Sequence, residues 1–98
     1  MWRQVFLTAL LLLGCGEALA AASGSSPAAA IVLPGATNEM NGVMAEDAYI
    51  SQHYPGWQQG SQSTVMQNGK DYDQIQLSGP GGKTQTIYFD ITAWFGKM

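Results

Sequence analysis

The chain has 98 residues and a net charge of −3 at neutral pH, and 11 % of its residues are charged. This length suits one small domain. Lys70, Lys83 and Lys97 are isolated from one another in sequence, whereas nucleic-acid binding draws on clustered Lys and Arg. The composition therefore argues against a nucleic-acid partner.

Residues 1–20 have the pattern of an export signal. Arg3 precedes an apolar stretch at residues 5–13, and Ala18-Leu19-Ala20 then gives the small-x-small pattern that signal peptidase accepts. An apolar stretch of this length falls well short of the ~20 residues that cross a bilayer as a helix. We therefore expect a signal cleaved after Ala20, a periplasmic or secreted protein and no transmembrane span.

Cys15 offers an alternative route to the same compartment. Leu12-Leu13-Gly14-Cys15 resembles the bacterial lipobox, in which the cysteine takes a lipid and becomes the new N-terminus. Lipidation at Cys15 would make the protein a membrane-anchored lipoprotein, whereas cleavage after Ala20 would remove this cysteine. In both cases the folded part contains no disulfide, because Cys15 is the only cysteine.

Residues 21–40 have the composition of a flexible linker. Ser, Gly and Pro are frequent, and no charged residue occurs from Ala21 to Ala36. Ile31-Val32-Leu33 is an exception within this segment. Two interpretations stay open for it, a short strand at a sheet edge or an apolar patch in a tail.

The domain proper is predicted to cover residues 41–98 and to begin with one helix at Val43–Tyr54. Asn41 can cap the first turn, and Pro55-Gly56 ends the helix because proline interrupts the hydrogen-bond ladder. Glu46 and Asp47 lie early in the helix, where carboxylates suit the positive end of the dipole. The spacing predicts an apolar face made of Met44, Ala45, Ala48 and Tyr49.

Three strands are predicted after the helix, at residues 61–67, 71–78 and 84–92. Asn68-Gly69 is a strong hairpin signal, since both residues tolerate positive φ, and residues 79–82 form a second turn. The alternation of side chains predicts one apolar sheet face, which the helix covers. We therefore expect an α+β fold with one helix packed on a three-stranded antiparallel β-meander, and the predicted face consists of Ile75, Leu77, Ile87, Phe89 and Ile91.

The order of these elements resembles the PepSY-like domains of exported bacterial proteins, including those called β-lactamase-inhibitor-like. The resemblance is carried by residues 45–50, 54–57, 72–77 and 87–91, followed by Gly96-Lys97. It implies an exported module that binds or inhibits other proteins and that has no catalytic residues. This chain contains one copy of the pattern, whereas tandem members contain two.

No catalytic, metal or cofactor site is predicted. His53 is the only histidine, and it is expected to interact with the last carbonyls of the helix. The aromatic residues are the candidate partner contacts, since exposed aromatic side chains often form interfaces; the same residues would otherwise close the ends of a small core. These candidates are Trp57, Tyr72, Tyr88, Trp94 and Phe95.

The predicted function is a non-enzymatic module that binds another exported or envelope protein. One alternative is a module that binds a small ligand or a cell-wall glycan by stacking on Tyr72, Tyr88 and Trp94. A small hydrolase that uses His53 is a further alternative. The sequence leaves the partner and the oligomeric state open.

Overall fold

The computed structural model describes residues 23–98, so the predicted export signal and Cys15 lie outside the described residues. The described part contains one α-helix and four strands. In chain order they are β1 (Ile31–Val32), α1 (Glu39–His53), β2 (Gln58–Gln67), β3 (Lys70–Ser78) and β4 (Thr84–Asp90). Neither α1 nor the short 3-10 turns at Pro27–Ala29 and Pro80–Gly82 is long and apolar enough to cross a membrane.

The four strands form one mixed sheet in the order β1-β4-β3-β2. Neighbouring strands β2 and β3 are antiparallel, as are β3 and β4, whereas β1 runs parallel to β4 with Ile31 opposite Phe89. The α+β class is confirmed. The three-stranded antiparallel meander is wrong, because Ile31 and Val32 add a fourth, parallel strand beside β4.

The segment before α1 contacts the sheet at several points. The backbone N–H of Tyr88 donates to the carbonyl of Gly24 at 2.8 Å, and the side chains of Ile31 and Ala36 are buried in the core. Part of the stretch with linker composition is therefore packed on the sheet. Burial of Ile31 and Ala36 removes apolar surface from water, which favours this packing.

Helix α1 begins four residues earlier than the sequence pattern predicts. Asn38 is the N-cap, and its side chain accepts from the backbone N–H of Asn41 at 3.0 Å. The side-chain oxygen of Asn41 accepts from the backbone N–H of Asn38 at 3.2 Å, so the two asparagines form a reciprocal capping box. Helix α1 ends at His53, and Pro55 follows its C-cap, Tyr54.

The buried face of α1 differs from the predicted one. Gly42, Glu46 and Ile50 are buried, whereas Met44 and Ala48 are exposed. Gly42 has no side chain, and the indole of Trp94 occupies the place that a Cβ would take. This contact rotates α1 so that positions spaced by four residues from Gly42 face the sheet.

The core lies between α1 and the inner face of the sheet. The predicted apolar face is confirmed, because its five residues are all no more than 1 % exposed. Tyr49 closes one side of this core with its ring edge-on to Phe89, at a centroid distance of 5.5 Å. The core cluster consists of Ile31, Ala36, Ile50, Ile75, Leu77, Ile87, Phe89, Ile91 and Trp94.

Candidate functional site

Strand β2 forms an open edge of the sheet. It is ten residues long and pairs with β3 on one side only, and within the described residues no strand lies on its other side. Every β2 residue is exposed except Val65, which is half-buried. An edge of this kind presents unpaired backbone donors and acceptors to a further strand.

The hairpin fixes which backbone groups of β2 point outward. Asn68 and Gly69 have φ values of 53° and 77°, as a two-residue turn of the I′ type requires. Such a turn is closed by a hydrogen-bonded pair, here Gln67 and Lys70, and the pairs then alternate along the antiparallel ladder. The N–H and C=O groups of Met66, Thr64 and Gln62 therefore point away from β3.

A contact between β3 and β4 confirms this alternation. The carbonyl of Asp71 accepts from the backbone N–H of Ile91 at 2.9 Å, so the backbone of Asp71 faces β4. Met66 is the partner of Asp71 in β2. Because the backbone groups of Asp71 point to β4, they do not bond to Met66. The backbone N–H and C=O of Met66 therefore point away from β3, as the hairpin geometry requires.

The side chains of β2 offer little that would block a further strand. The sequence of β2 is Gln-Gln-Gly-Ser-Gln-Ser-Thr-Val-Met-Gln, without charge and without proline. Natural sheets commonly protect their edges with charged residues, proline or bulges. Only the register shift between Gln59 and Gln62 interrupts this edge, and it lies near the start of the strand.

Two of the five predicted aromatic contacts are buried. Trp94 is 2 % exposed and packs on Gly42 at the start of α1, and its Nε1 has no hydrogen-bond partner among the described residues. Tyr72 is 7 % exposed on the sheet face opposite the core cluster. Neither side chain offers a free surface, because each already fills a packed position.

The other three aromatic candidates lie at separate places. Trp57 is half-buried after the end of α1, where its indole covers Gly79 and its ring is edge-on to Tyr54 at 5.7 Å. Tyr88 is half-buried in β4, and Phe95 is exposed. Since Trp94 packs at the start of α1 and Trp57 lies beyond its end, the structure does not bring the five residues together.

A pair of acidic side chains is buried between α1 and β3. Glu46 is 2 % exposed and Asp73 is 5 % exposed, and the carboxyl of Glu46 is hydrogen-bonded to that of Asp73. Burial, this hydrogen bond and the charge of Asp73 raise the pKa of Glu46 to about 9. Glu46 is therefore a neutral acid at physiological pH, and its carboxyl O–H donates the hydrogen bond to the Asp73 carboxylate.

The surroundings of this pair provide one further donor. The hydroxyl of Thr64 donates to Asp73 Oδ1 at 3.4 Å, whereas Glu46 Oε2 has no partner among the described residues. A buried oxygen without a partner costs free energy. The proton of Glu46 is therefore buried inside the domain, and the hydroxyl of Thr64 connects the Glu46–Asp73 pair to the β2 edge.

His53 occupies the position that the sequence predicts. Its Nδ1 lies 3.0 Å from the carbonyl oxygen of Tyr49, and its ring stacks on that of Tyr49 at a centroid distance of 3.9 Å. These contacts confirm an exposed histidine that interacts with the last turn of α1. Residues 23–98 contain no group of three His, Cys, Asp or Glu side chains that is arranged to hold a metal ion.

An open apolar groove lies beside the first half of α1. Asn38, Glu39 and Val43 line it together with three methionines, which are Met40, Met44 and Met98. All three methionines are exposed. A second open groove, at the other end of α1, includes Tyr54 and Trp57.

Comparison with known proteins gives no relative: no family model, no curated protein and no solved structure matches this chain. The resemblance to PepSY-like domains therefore stays a prediction.

Sequence reasoning missed three features of this surface. The predicted meander also has its first strand at an edge, but that strand was predicted to begin at residue 61, so the full ten-residue length of the β2 edge was missed. The burial of Glu46 was also missed, although its four-residue spacing from Gly42 and Ile50 was visible. The methionine groove was missed because Met44 was placed on the core-facing side of the helix.

Proposed function

We propose that this chain is an exported, non-enzymatic module that binds another protein by taking up an extended segment of it along β2. The observation that carries the proposal is the open β2 edge, which has outward backbone groups at Gln62, Thr64 and Met66. Strand addition of this kind draws its affinity from main-chain hydrogen bonds and its specificity from alternate side chains. The occupant is an extended segment of a different exported protein.

The chemistry of the edge supports this occupant. Side chains of β2 are Gln, Ser and Thr with one Val and one Met, so they favour a polar partner that can exchange amide and hydroxyl hydrogen bonds. The chain as a whole carries a charge of −3. This charge favours a basic partner over a second copy of the same chain, since two copies would repel each other.

A matched pair of variants tests the strand-addition geometry. Met66→Pro removes one outward N–H at a position where an edge strand tolerates proline, and Met66→Ala removes the side chain and keeps the N–H. Decapeptides selected from a random display library against the purified protein serve as probes. We expect Met66→Ala to bind the selected peptides as the wild type does and Met66→Pro to lose at least about tenfold in affinity.

Amide hydrogen exchange locates the bound peptide. Binding along β2 should protect the amides of Gln62, Thr64 and Met66, which are exposed to solvent in the free protein. Equal binding by the two variants, or protection confined to another surface, would refute the proposal. A dimer of the free protein in light scattering that Met66→Pro dissociates would show that a second copy occupies the edge instead.

The two alternative functions receive less support from the geometry. Stacking on a glycan requires exposed rings, and Tyr72 and Trp94 are buried. Hydrolysis through His53 requires a free imidazole beside a nucleophile, whereas His53 is engaged by the carbonyl and the ring of Tyr49. The exported location rests on the signal pattern of residues 1–20, and the N-terminal mass of the purified protein tests both cleavage after Ala20 and lipidation at Cys15.

A further inference from the structure

The methionines of the described part lie on the surface and not in the core. Met40, Met44, Met66 and Met98 are all at least 64 % exposed. The core cluster contains only Ile, Leu, Ala, Phe and Trp. Methionine is ordinarily one of the more buried residue types and fills irregular gaps in cores, so four exposed methionines in 76 residues need another explanation.

Three of these methionines line the same groove. Met40 and Met44 are four residues apart on α1, which places their Cβ atoms about 6 Å apart on one helix face. Met98 lines the groove from the chain end that packs against the start of α1, where the carbonyl of Lys97 accepts from the N–H of Glu39 at 2.8 Å. Each side chain has three rotatable bonds, so three thioether sulfurs can converge at this place.

We propose that Met40, Met44 and Met98 form a binding site for a soft monovalent metal ion, Cu(I) in the first instance. Thioether sulfur is a soft ligand that selects Cu(I) over the harder divalent ions. Thioethers are neutral at every pH and need no deprotonation, so the site works without the thiolates or imidazoles of other copper sites.

The polar neighbours of the groove are compatible with a cation. Glu39 lines the groove, and its Oε2 accepts from the backbone N–H of Gly96 at 2.5 Å. This carboxylate and the overall negative charge of the chain attract a cation to the groove. Lys97 is not among the lining residues, although its carbonyl bonds to Glu39 beside the groove.

The test compares methionine with leucine at the same positions. Every protein in it carries Cys15→Ser, because a thiolate would bind the same metal. Cu(I), kept reduced by ascorbate, is titrated in competition with bicinchoninate, and Ag(I) serves as a probe that does not change oxidation state. We expect one bound ion per chain, a loss of at least about tenfold in affinity for Met44→Leu and loss of binding in the triple variant of Met40, Met44 and Met98.

Met66→Leu is the matched control, since Met66 is equally exposed but lies in β2. Its affinity should equal that of the wild type, and Ag(I) should shift the methyl resonances of the other three methionines together. Wild-type affinity in the triple variant, an equal loss in Met66→Leu, or no bound ion in the wild type would overturn the proposal. The triple variant leaves every residue of β2 unchanged, so its peptide binding should equal that of the wild type whichever way the metal test turns out.

Discussion

Replacement of Glu46 by glutamine is expected to stabilise the protein at neutral pH. Glu46 is buried against Asp73, and within residues 23–98 no basic side chain forms an ion pair with it. Burial together with the contacts to Asp73 raises the pKa of Glu46 from 4.5 to about 9. The glutamine side chain would have nearly the same shape and would donate an amide N–H to Asp73 in place of the carboxyl proton. Glutamine is already neutral, whereas Glu46 must take up a proton when the chain folds at neutral pH.

The sign of the effect follows from proton binding. Between pH 4.5 and about pH 9 the folded state holds the Glu46 proton, whereas the unfolded chain releases it. The folded state binds more protons, so the free energy of unfolding falls as the pH rises through this window, by up to about 1.4 kcal/mol per pH unit. The contribution of the Glu46 proton to the free energy of unfolding is fully present below pH 4.5. About 3 kcal/mol of this contribution is lost by pH 7.

Urea unfolding followed by tryptophan fluorescence at pH 5, 7 and 8.5 measures this dependence. We expect Glu46→Gln to have nearly wild-type stability at pH 5 and to exceed the wild type by about 3 kcal/mol at pH 7 and by more at pH 8.5. Asp71→Asn is the matched control, because Asp71 is also acidic and lies two residues from Asp73, but its charge is not among the causes that raise the pKa of Glu46. The free energy of unfolding of this variant should depend on pH as that of the wild type does.

Two results would refute this reasoning about Glu46. The first is a wild-type stability that does not fall between pH 5 and 8.5, which would mean that the folded and unfolded chains bind equal numbers of protons. The second is a Glu46→Gln variant that is less stable than the wild type at pH 7. That outcome would mean that the carboxyl group of Glu46 stabilises the fold in its charged form.

Further substitutions test the packing of α1 and the added strand. Gly42→Ala should destabilise by about 1–3 kcal/mol in urea unfolding, because its Cβ would overlap the indole of Trp94; the same change in a Trp94→Leu background should cost less. Asn38→Ala removes the helix cap and should cost about 1 kcal/mol, whereas Asn38→Ser keeps a capping oxygen and should leave the stability nearly unchanged. Ile31→Ala should cost about 2–5 kcal/mol if β1 is packed in the core, whereas a cost below about 0.5 kcal/mol would place this segment outside it.

The sheet was largely predictable because its signals are local. Alternating aliphatic residues in β3 and β4 define the apolar face, and Asn68-Gly69 defines the hairpin, so both could be read from neighbouring residues. The position of β1 was not predictable in the same way. Ile31 pairs with Phe89, which is 58 residues away, and nothing local distinguishes this pairing from an unattached apolar patch.

The helix shows why a correct element can have a wrong face. Its apolar residues form no clear stripe, and the three- and four-residue spacing of some of them predicted that Met44 and Ala48 face the core. The structure instead places Gly42 and Glu46 there, since Trp94 needs the space over a glycine and Asp73 provides a partner for a buried acid. Both reasons are tertiary contacts. Tertiary contacts also decide which aromatic residues can contact a partner, since Trp94 is buried against Gly42.

Hydrogen exchange on the free protein tests the open β2 edge most directly. An open edge predicts that amide exchange rates alternate along β2. Pairing with β3 protects the amides of Ser63, Val65 and Gln67. The amides of Gln62, Thr64 and Met66 should exchange rapidly. The fast amides should become slow only when a peptide binds. Slow exchange at all six positions in the free protein would mean that the edge is already covered, and the proposed docking site would then not exist.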